Sequence, residues 1–370
     1  MTNAKKKKFL TPKNIITILT ALLVIYVVYK NWPDIQSTIS HLGETNLLVL
    51  LLLIPEQLLM YYSCGQIFFS YIEAKRKKKI AENPDRASKL KKIPQSVLTK
   101  ISIELNFVNH AIPAGGLGGL GYITWRLLPY GSSAGDTSFT YILRYAITVI
   151  GNQLQTFIAI AVLAIFGTIP ASATWILWAT AGLSLAIILG IALIVVIASA
   201  PKRIHWFAKI SSDFVKFVTK PFTKKTLLKY ETVDEYLMDI HKNILIAKKD
   251  LRILRGSVLW GFLYSFLEIA TYEFIAIALG HGDLFPQIMI GEAIGSVFGA
   301  IIPYGLYELG MAGVMTMLGV DTGLALVIVT MTRILVLGTT ILTGYGFYQA
   351  AINQMDKKDA KKINEINEEN

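Results

Sequence analysis

The sequence predicts an all-α fold, a polytopic membrane helix bundle with about six full spans and two opposed re-entrant hairpins arranged as an inverted repeat. Three observations predict it. Hydrophobic residues make up 53% of the 370 and charged residues only 16%, where a soluble domain carries about a quarter. The apolar residues come in long blocks, with the charges gathered between them, as in spans separated by aqueous loops. Two of the blocks are broken near their middles by proline and glycine.

The first span is read at Asn14 to Trp32 and the second at Asn46 to Tyr71. Each is long enough to cross about 30 Å of hydrocarbon at about 1.5 Å per residue. The N-terminal basic stretch and the apolar run Ile15 to Tyr29 imitate a signal peptide. Tyr29, Lys30, Asn31 and Trp32 follow instead of a small-x-small cleavage site, so an uncleaved helix is expected. A Lys-rich connection runs from Glu73 to Pro94. Two short apolar pieces come next, Val97 to Ile112 and Leu117 to Leu128, divided by Pro113 and a glycine cluster. Long helices are predicted at Thr137 to Ile165 and Trp175 to Ala198. The basic segment at 200–255 carries Ile204, Phe207, Ile210, Phe214 and Phe217 at helical spacing, which predicts a surface helix lying against membrane or bundle. A span from Val258 to Leu279, short pieces at Ile288 to Ile302 and Tyr307 to Leu318, and a last helix from Leu324 to Ala351 complete the membrane domain. That single domain is drawn at 1–355, with re-entrant regions at 96–130 and 286–319. The polar tail at 356–370 is expected to be disordered.

The net charge of +11 is concentrated in Lys5 to Lys8, Lys75 to Lys79, Lys89 to Lys92 and Lys202 to Arg255. Basic clusters can mark nucleic-acid binding. Here they alternate with spans, which is the positive-inside pattern and also attracts anionic headgroups, so no nucleic-acid partner is expected. Placing these segments in the cytoplasm, with both termini, requires 95–136 to enter and leave on one side. The same reasoning makes the second broken pair re-enter from the opposite side. The single cysteine, Cys64, can form no internal disulfide and is read as a packing residue.

The two broken regions resemble each other. Glu104 precedes Pro113, and Gly115, Gly116 and Gly118 follow it; Glu292 precedes Pro303, and Gly305 and Gly310 follow it. From Pro113 to Arg144 is 31 residues, and from Pro303 to Arg333 is 30. Broken helices leave backbone groups that hydrocarbon cannot satisfy, so they persist where they are buried in protein or line a wet cavity. Pairs of them in inverted repeats are how secondary transporters place a substrate near the midplane. Arg126, Arg144, Arg333, Glu104, Glu292 and Glu308, with Asn109 and His110, are the candidate headgroup-binding residues, since ionised groups at membrane depth face a cavity or one another. Arg144 and Arg333 occupy equivalent repeat positions and suit a phosphate. Glu308 could pair with Arg333 or receive a cationic headgroup. The alternative for each residue is mutual pairing that fixes helix register.

Gly116-x-Gly118-x-x-Gly121 matches a dinucleotide fingerprint but no strand precedes it. His110 has no second His or Cys at ligand spacing. No nucleophile–base set stands out, so no catalytic residue, metal or cofactor is expected.

At these residues the chain resembles the transmembrane, flippase-like domain of lysylphosphatidylglycerol synthases and its standalone relatives. The resemblance is carried by Asn109-His-Ala-Ile-Pro113 with its glycines, Arg126 before Gly131, Arg144, and Pro303-x-Gly-Leu-x-Glu308-Leu-Gly310 followed by Gly319 and Arg333, and it covers roughly 10–350. The first motif departs in being unusually Gly-rich. Full-length synthases carry a soluble aminoacyl-transferase domain after the membrane part. Nothing of that size follows Ala351, so the transferase chemistry is expected to be absent. The resemblance implies translocation of a phospholipid or aminoacyl-phosphatidylglycerol across the cytoplasmic membrane. The implied partners are membrane phospholipids and a separate lipid-modifying enzyme. Two other readings stand beside it: an ion-coupled small-solute transporter, and a membrane-embedded lipid-modifying enzyme using Glu104 and His110.

Overall fold

The computed structural model describes residues 45–84, 92–111, 117–130, 132–166, 169–219, 230–301 and 306–368, with isolated positions before 45. The expected first span, the Lys5 to Lys8 run, Lys89 and Lys91, Gly131, and the hinge residues Pro113, Gly115, Gly116, Pro303 and Gly305 lie outside the described residues. Every described element is helical, with no strand among the described residues.

The helices are α1 (Leu47–Leu51), α2 (Leu53–Glu82), α3 (Gln95–Ala111), α4 (Leu117–Leu127), α5 (Ala134–Phe166), α6 (Thr174–Ala198), α7 (Pro201–Thr219), α8 (Tyr230–Lys249), α9 (Arg255–Ala278), α10 (Phe285–Ile301), α11 (Leu306–Met317) and α12 (Thr322–Glu368). Five helical stretches among the described residues are long and apolar enough to cross a membrane: Leu47–Glu82, Ala134–Phe166, Ala171–Val196, Leu251–Ala278 and Thr322–Gln354. The third is the most apolar, yet only 11% of its window is buried inside the protein. Trp175, Trp178, Leu185, Leu189 and Leu193 on it face outward. A helix that is apolar all round and unburied by protein is solvated by lipid.

Local chemistry sets the ends. Asn46 caps α1, its side chain accepting from the Leu48 amide at 3.1 Å, and its own N–H donates to the Ala278 carbonyl at 2.8 Å, tying the start of α1 to the end of α9. Gly280 and Gly319 carry positive φ, +87° and +96°, where a Cβ would be strained. Each closes a helix by a left-handed turn: the His281 N–H reaches the Ala276 carbonyl at 2.8 Å and the Val320 N–H the Met315 carbonyl at 3.1 Å.

The core is built around α9. It packs on α2, α5 and α12, and it contributes Tyr264, Leu267, Ile269, Tyr272, Ile275 and Ala276 to four apolar clusters. The two short pairs, α3–α4 and α10–α11, each pack within themselves. α3 also packs on α12, while α10 packs on α5. α4 lies on α5 and α11 on α12. Association of α10 with α11 is close because glycine faces it: a Cβ at Gly291 would stand 3.0 Å from the Met311 carbonyl oxygen. Small residues at such seams let membrane helices approach. Cys64 is buried in the cluster between α2, α3 and α9, consistent with a packing role.

Three features differ from expectation. α2 continues eleven residues beyond Tyr71, to Glu82, because Tyr71 and Lys75 are held there by another helix. That helix is α8, from the basic segment. Asn243 accepts from Tyr71 Oη at 2.7 Å and from Lys75 Nζ at 2.7 Å, and its amide donates to Asp136 Oδ1 at 3.0 Å. Lys75 also pairs with Asp136. On α7 the expected apolar face divides: Ile204 and Ala208 are buried, whereas Trp206, Phe207 and Ile210 are exposed. Burial there follows the i, i+4 row that meets α8. Finally, the α12 backbone stays helical through Glu368, past the predicted start of the polar tail.

Candidate functional site

Where α2, α3, α9 and α12 converge, the interior is polar. The sequence places a stripe on α9 at helical spacing, Tyr264, Glu268, Thr271 and Tyr272. α3 adds Asn106 and His110, one turn apart; α12 adds Thr332 and Arg333; α2 adds Met60. With Val336 and Leu337 these residues line a cavity of about 110 Å³. Such a space holds several waters, each needing upward of about 10 Å³.

The groups around it are anchored. His110 Nδ1 lies 2.9 Å from the Asn106 carbonyl. A carbonyl only accepts, so Nδ1 carries the hydrogen. Asn106 donates to Thr340 at 3.0 Å. Arg333 Nε pairs with Glu308 Oε1 at 3.1 Å, and its guanidinium lies over the Tyr307 ring at 5.2 Å. Tyr307 and Tyr272 share a 2.7 Å hydrogen bond. Glu268 accepts from Asn152 Nδ2 at 3.3 Å and forms no ion pair among the described residues. Behind the cavity, Thr271 donates to Glu56 Oε1 at 3.2 Å, and Gln57 donates to Glu56 Oε2 at 2.9 Å and to Thr271 at 3.1 Å.

Arg144 stands apart from the other membrane arginines. Its guanidinium lies 5.3 Å from the Tyr145 ring centroid and 5.0 Å from that of Tyr264. Nη2 donates to Tyr264 Oη at 3.0 Å. Nε and Nη1 are buried and have no hydrogen-bond partner among the described residues. The residue is 8% exposed.

An apolar groove of about 360 Å³ runs between α1–α2 and α12, lined by Leu47, Leu50, Leu51, Leu53, Ile54, Leu335 and Thr339. Thr271 and Val336 line both the groove and the polar cavity.

The structure therefore brings together only part of the predicted set. His110 and Arg333 line the cavity, and Glu308 reaches it through Arg333. Arg144 borders it through Tyr264. Glu104 and Arg126 do not line it. They form a buried bidentate pair, Nε to Oε2 at 2.7 Å and Nη2 to Oε1 at 3.0 Å, with Tyr122 Oη donating to Oε2 at 2.8 Å. These two are paired because α4 folds back on α3. Glu292 is buried and bound by Ser296 at 2.5 Å. Asn109 accepts from Tyr141 at 3.2 Å, and Gly118 lies in the first turn of α4 and Gly310 in α11. The candidate headgroup set read from the sequence lacks Asn106, Tyr264, Thr271, Tyr272 and Thr332, and also Glu268, which the sequence marks only as a carboxylate inside an apolar block. The i, i+4, i+7, i+8 polar row on α9 is the signal that marks four of them. Among the described residues no group of His, Cys, Asp and Glu could hold a metal.

Comparison of the chain with family models, with curated proteins and with solved structures finds no match.

Proposed function

We propose that the protein translocates a phospholipid-class amphiphile between membrane leaflets. The observation that carries this reading is the shared wall: a polar cavity with Arg333 and Glu268 on one side of Thr271 and Val336, and an open apolar groove on the other. A small polar solute has no use for the groove, whereas a lipid presents a charged headgroup joined to acyl chains. The headgroup enters the cavity and the chains lie along α1–α2 and α12. At about 110 Å³ the cavity is too small for a whole lipid, so movement requires the packing around it to open, as in alternating access.

The contact pattern supports an inverted repeat and re-entrant pairs. Each short pair packs against a long helix of the other half, α3 on α12 and α10 on α5. Relative rocking of the two halves then opens the interior to one leaflet at a time. With the basic segments in the cytoplasm, this occurs in the cell membrane, with cytoplasmic termini. The resemblance to flippase-like domains points to phosphatidylglycerol or an aminoacylated form as cargo. A lipid-modifying enzyme is less favoured, because Glu104 is held by Arg126 and Tyr122 away from His110.

The test is reconstitution into liposomes containing head-labelled phospholipids, an aminoacyl lipid among them, with leaflet exchange followed by quenching. Exchange above empty liposomes is expected, lost in Arg333→Ala and Glu308→Gln. A folded wild-type protein that exchanges no headgroup would overturn the reading, and solute uptake driven by an ion gradient would replace it.

A further inference from the structure

Resting on the translocator reading, we propose that the site binds an anionic phosphodiester together with a proton, the phosphate on Arg144 and the proton on Glu268. Arg126 is matched by Glu104, Arg333 by Glu308 and Lys75 by Asp136. Among the described residues Arg144 has no carboxylate within ion-pair distance, and its Nε and Nη1 are buried with no hydrogen-bond partner. A buried guanidinium with open donors is costly unless an anion completes it. The two stacked tyrosines hold the fork in place, and a phosphodiester oxygen pair fits such a fork.

Glu268 stands one helical turn from Tyr264, the residue that holds Arg144. It lines the cavity and accepts from the neutral amide of Asn152. The groups that face it are few. α5 presents Arg144 and Asn152; α2 presents Cys64, with Glu56 bound to Thr271 one turn along α9; α3 presents His110 and α12 Arg333. α10 presents Glu292, α11 presents Tyr307 behind Tyr272, and α9 itself presents Tyr264 and Tyr272. α1 has no titratable residue. Of the cations, Arg333 is engaged by Glu308, which leaves Arg144 as the one that an ionised Glu268 would draw.

Phosphate and carboxylate therefore compete for one guanidinium. Protonating Glu268 releases Arg144, removes a like charge from the phosphate, and gives a proton–phosphodiester pair with no net charge. Carrying a neutral pair through the membrane avoids the cost of moving a bare anion. Binding takes up one proton, so apparent affinity for an anionic lipid falls by up to about tenfold per pH unit once Glu268 ionises in the empty site.

The experiment uses proteoliposomes containing head-labelled phosphatidylglycerol and an imposed pH gradient. Wild-type protein should accumulate the label in the leaflet facing the alkaline side, at least about twofold over no gradient, since the proton flows that way. Whatever exchange Glu268→Gln retains should no longer respond to the gradient, Glu268→Asp should keep the response, and Arg144→Gln should lose phosphatidylglycerol exchange. Gradient-blind exchange by wild type, or an unchanged response in Glu268→Gln, would overturn the coupling while leaving the translocator reading intact. Infrared spectra of the purified protein give an answer independent of transport. The C=O stretch of a protonated carboxyl should be present in wild type and reduced in Glu268→Gln, and its titration should move to higher pH with short-chain phosphatidylglycerol. Identical spectra in the two proteins would overturn the proton site even if no lipid moved.

Discussion

Removing the Glu104–Arg126 pair separates a structural ion pair from a lipid site. Glu104 has 3% of its side chain exposed and Arg126 16%. Two near-parallel hydrogen bonds join them, and Tyr122 adds a third to the carboxylate. Breaking a buried pair by removing one partner costs about 3–5 kcal/mol, because the remaining charge stays desolvated. Arg126→Leu falls at the lower end, about 3 kcal/mol, since the Tyr122 bond still serves Glu104. Glu104→Leu costs less, about 1–2 kcal/mol, because Arg126 is near the end of α4 and its long side chain can swing toward water. The double Leu variant leaves no buried charge and should lie within about 1 kcal/mol of wild type. The coupling energy is then about 3–5 kcal/mol in magnitude, measured by a double-mutant cycle on reversible unfolding in mixed micelles. Additive losses, with coupling below about 0.5 kcal/mol, would refute the account of the pair. The double variant should also retain lipid exchange. Its loss in a stable double variant would return both residues to the headgroup site.

Two further outcomes follow from the geometry. Val336→Trp adds a large ring at the wall between cavity and groove, so lipid exchange should fall at least about tenfold, or about 1.4 kcal/mol, while the folded fraction and melting midpoint hold; unimpaired exchange would remove the shared wall from the pathway. Asn243→Leu deletes the hub joining α8 to Tyr71, Lys75 and Asp136. Losing it should cost about 2–4 kcal/mol locally and raise hydrogen exchange across Tyr230–Lys249, and unchanged protection there would show that α8 is held by its apolar contacts alone.

Much of the architecture is legible from periodicity. The short helices flanking 113 and 303, the spans beginning near 137, 175, 258 and 324, and the membrane class itself follow from apolar run length, Pro, Gly and the placement of charge. Hydrocarbon thickness and backbone hydrogen bonding leave little choice at that level. The pairing of Arg333 with Glu308 was foreseen as one of two options, because one motif carries both. Sequence cannot choose among partners when several buried charges must be matched. Glu104, Arg126 and Arg144 all fall inside or beside apolar segments, yet two of them neutralise each other and the third keeps open donors. That choice is made when α4 folds back on α3 and when α5 meets α9. The α9 stripe was visible as spacing, but its meaning depended on α3 and α12 closing over it. The sequence by itself determined that this chain is an all-helical bundle with helices apolar enough to cross a membrane. Only the tertiary structure decided which charges are satisfied, where the cavity lies and that an apolar groove adjoins it. The reason is that burial and chain periodicity are local properties, whereas charge matching depends on distances between helices far apart in sequence.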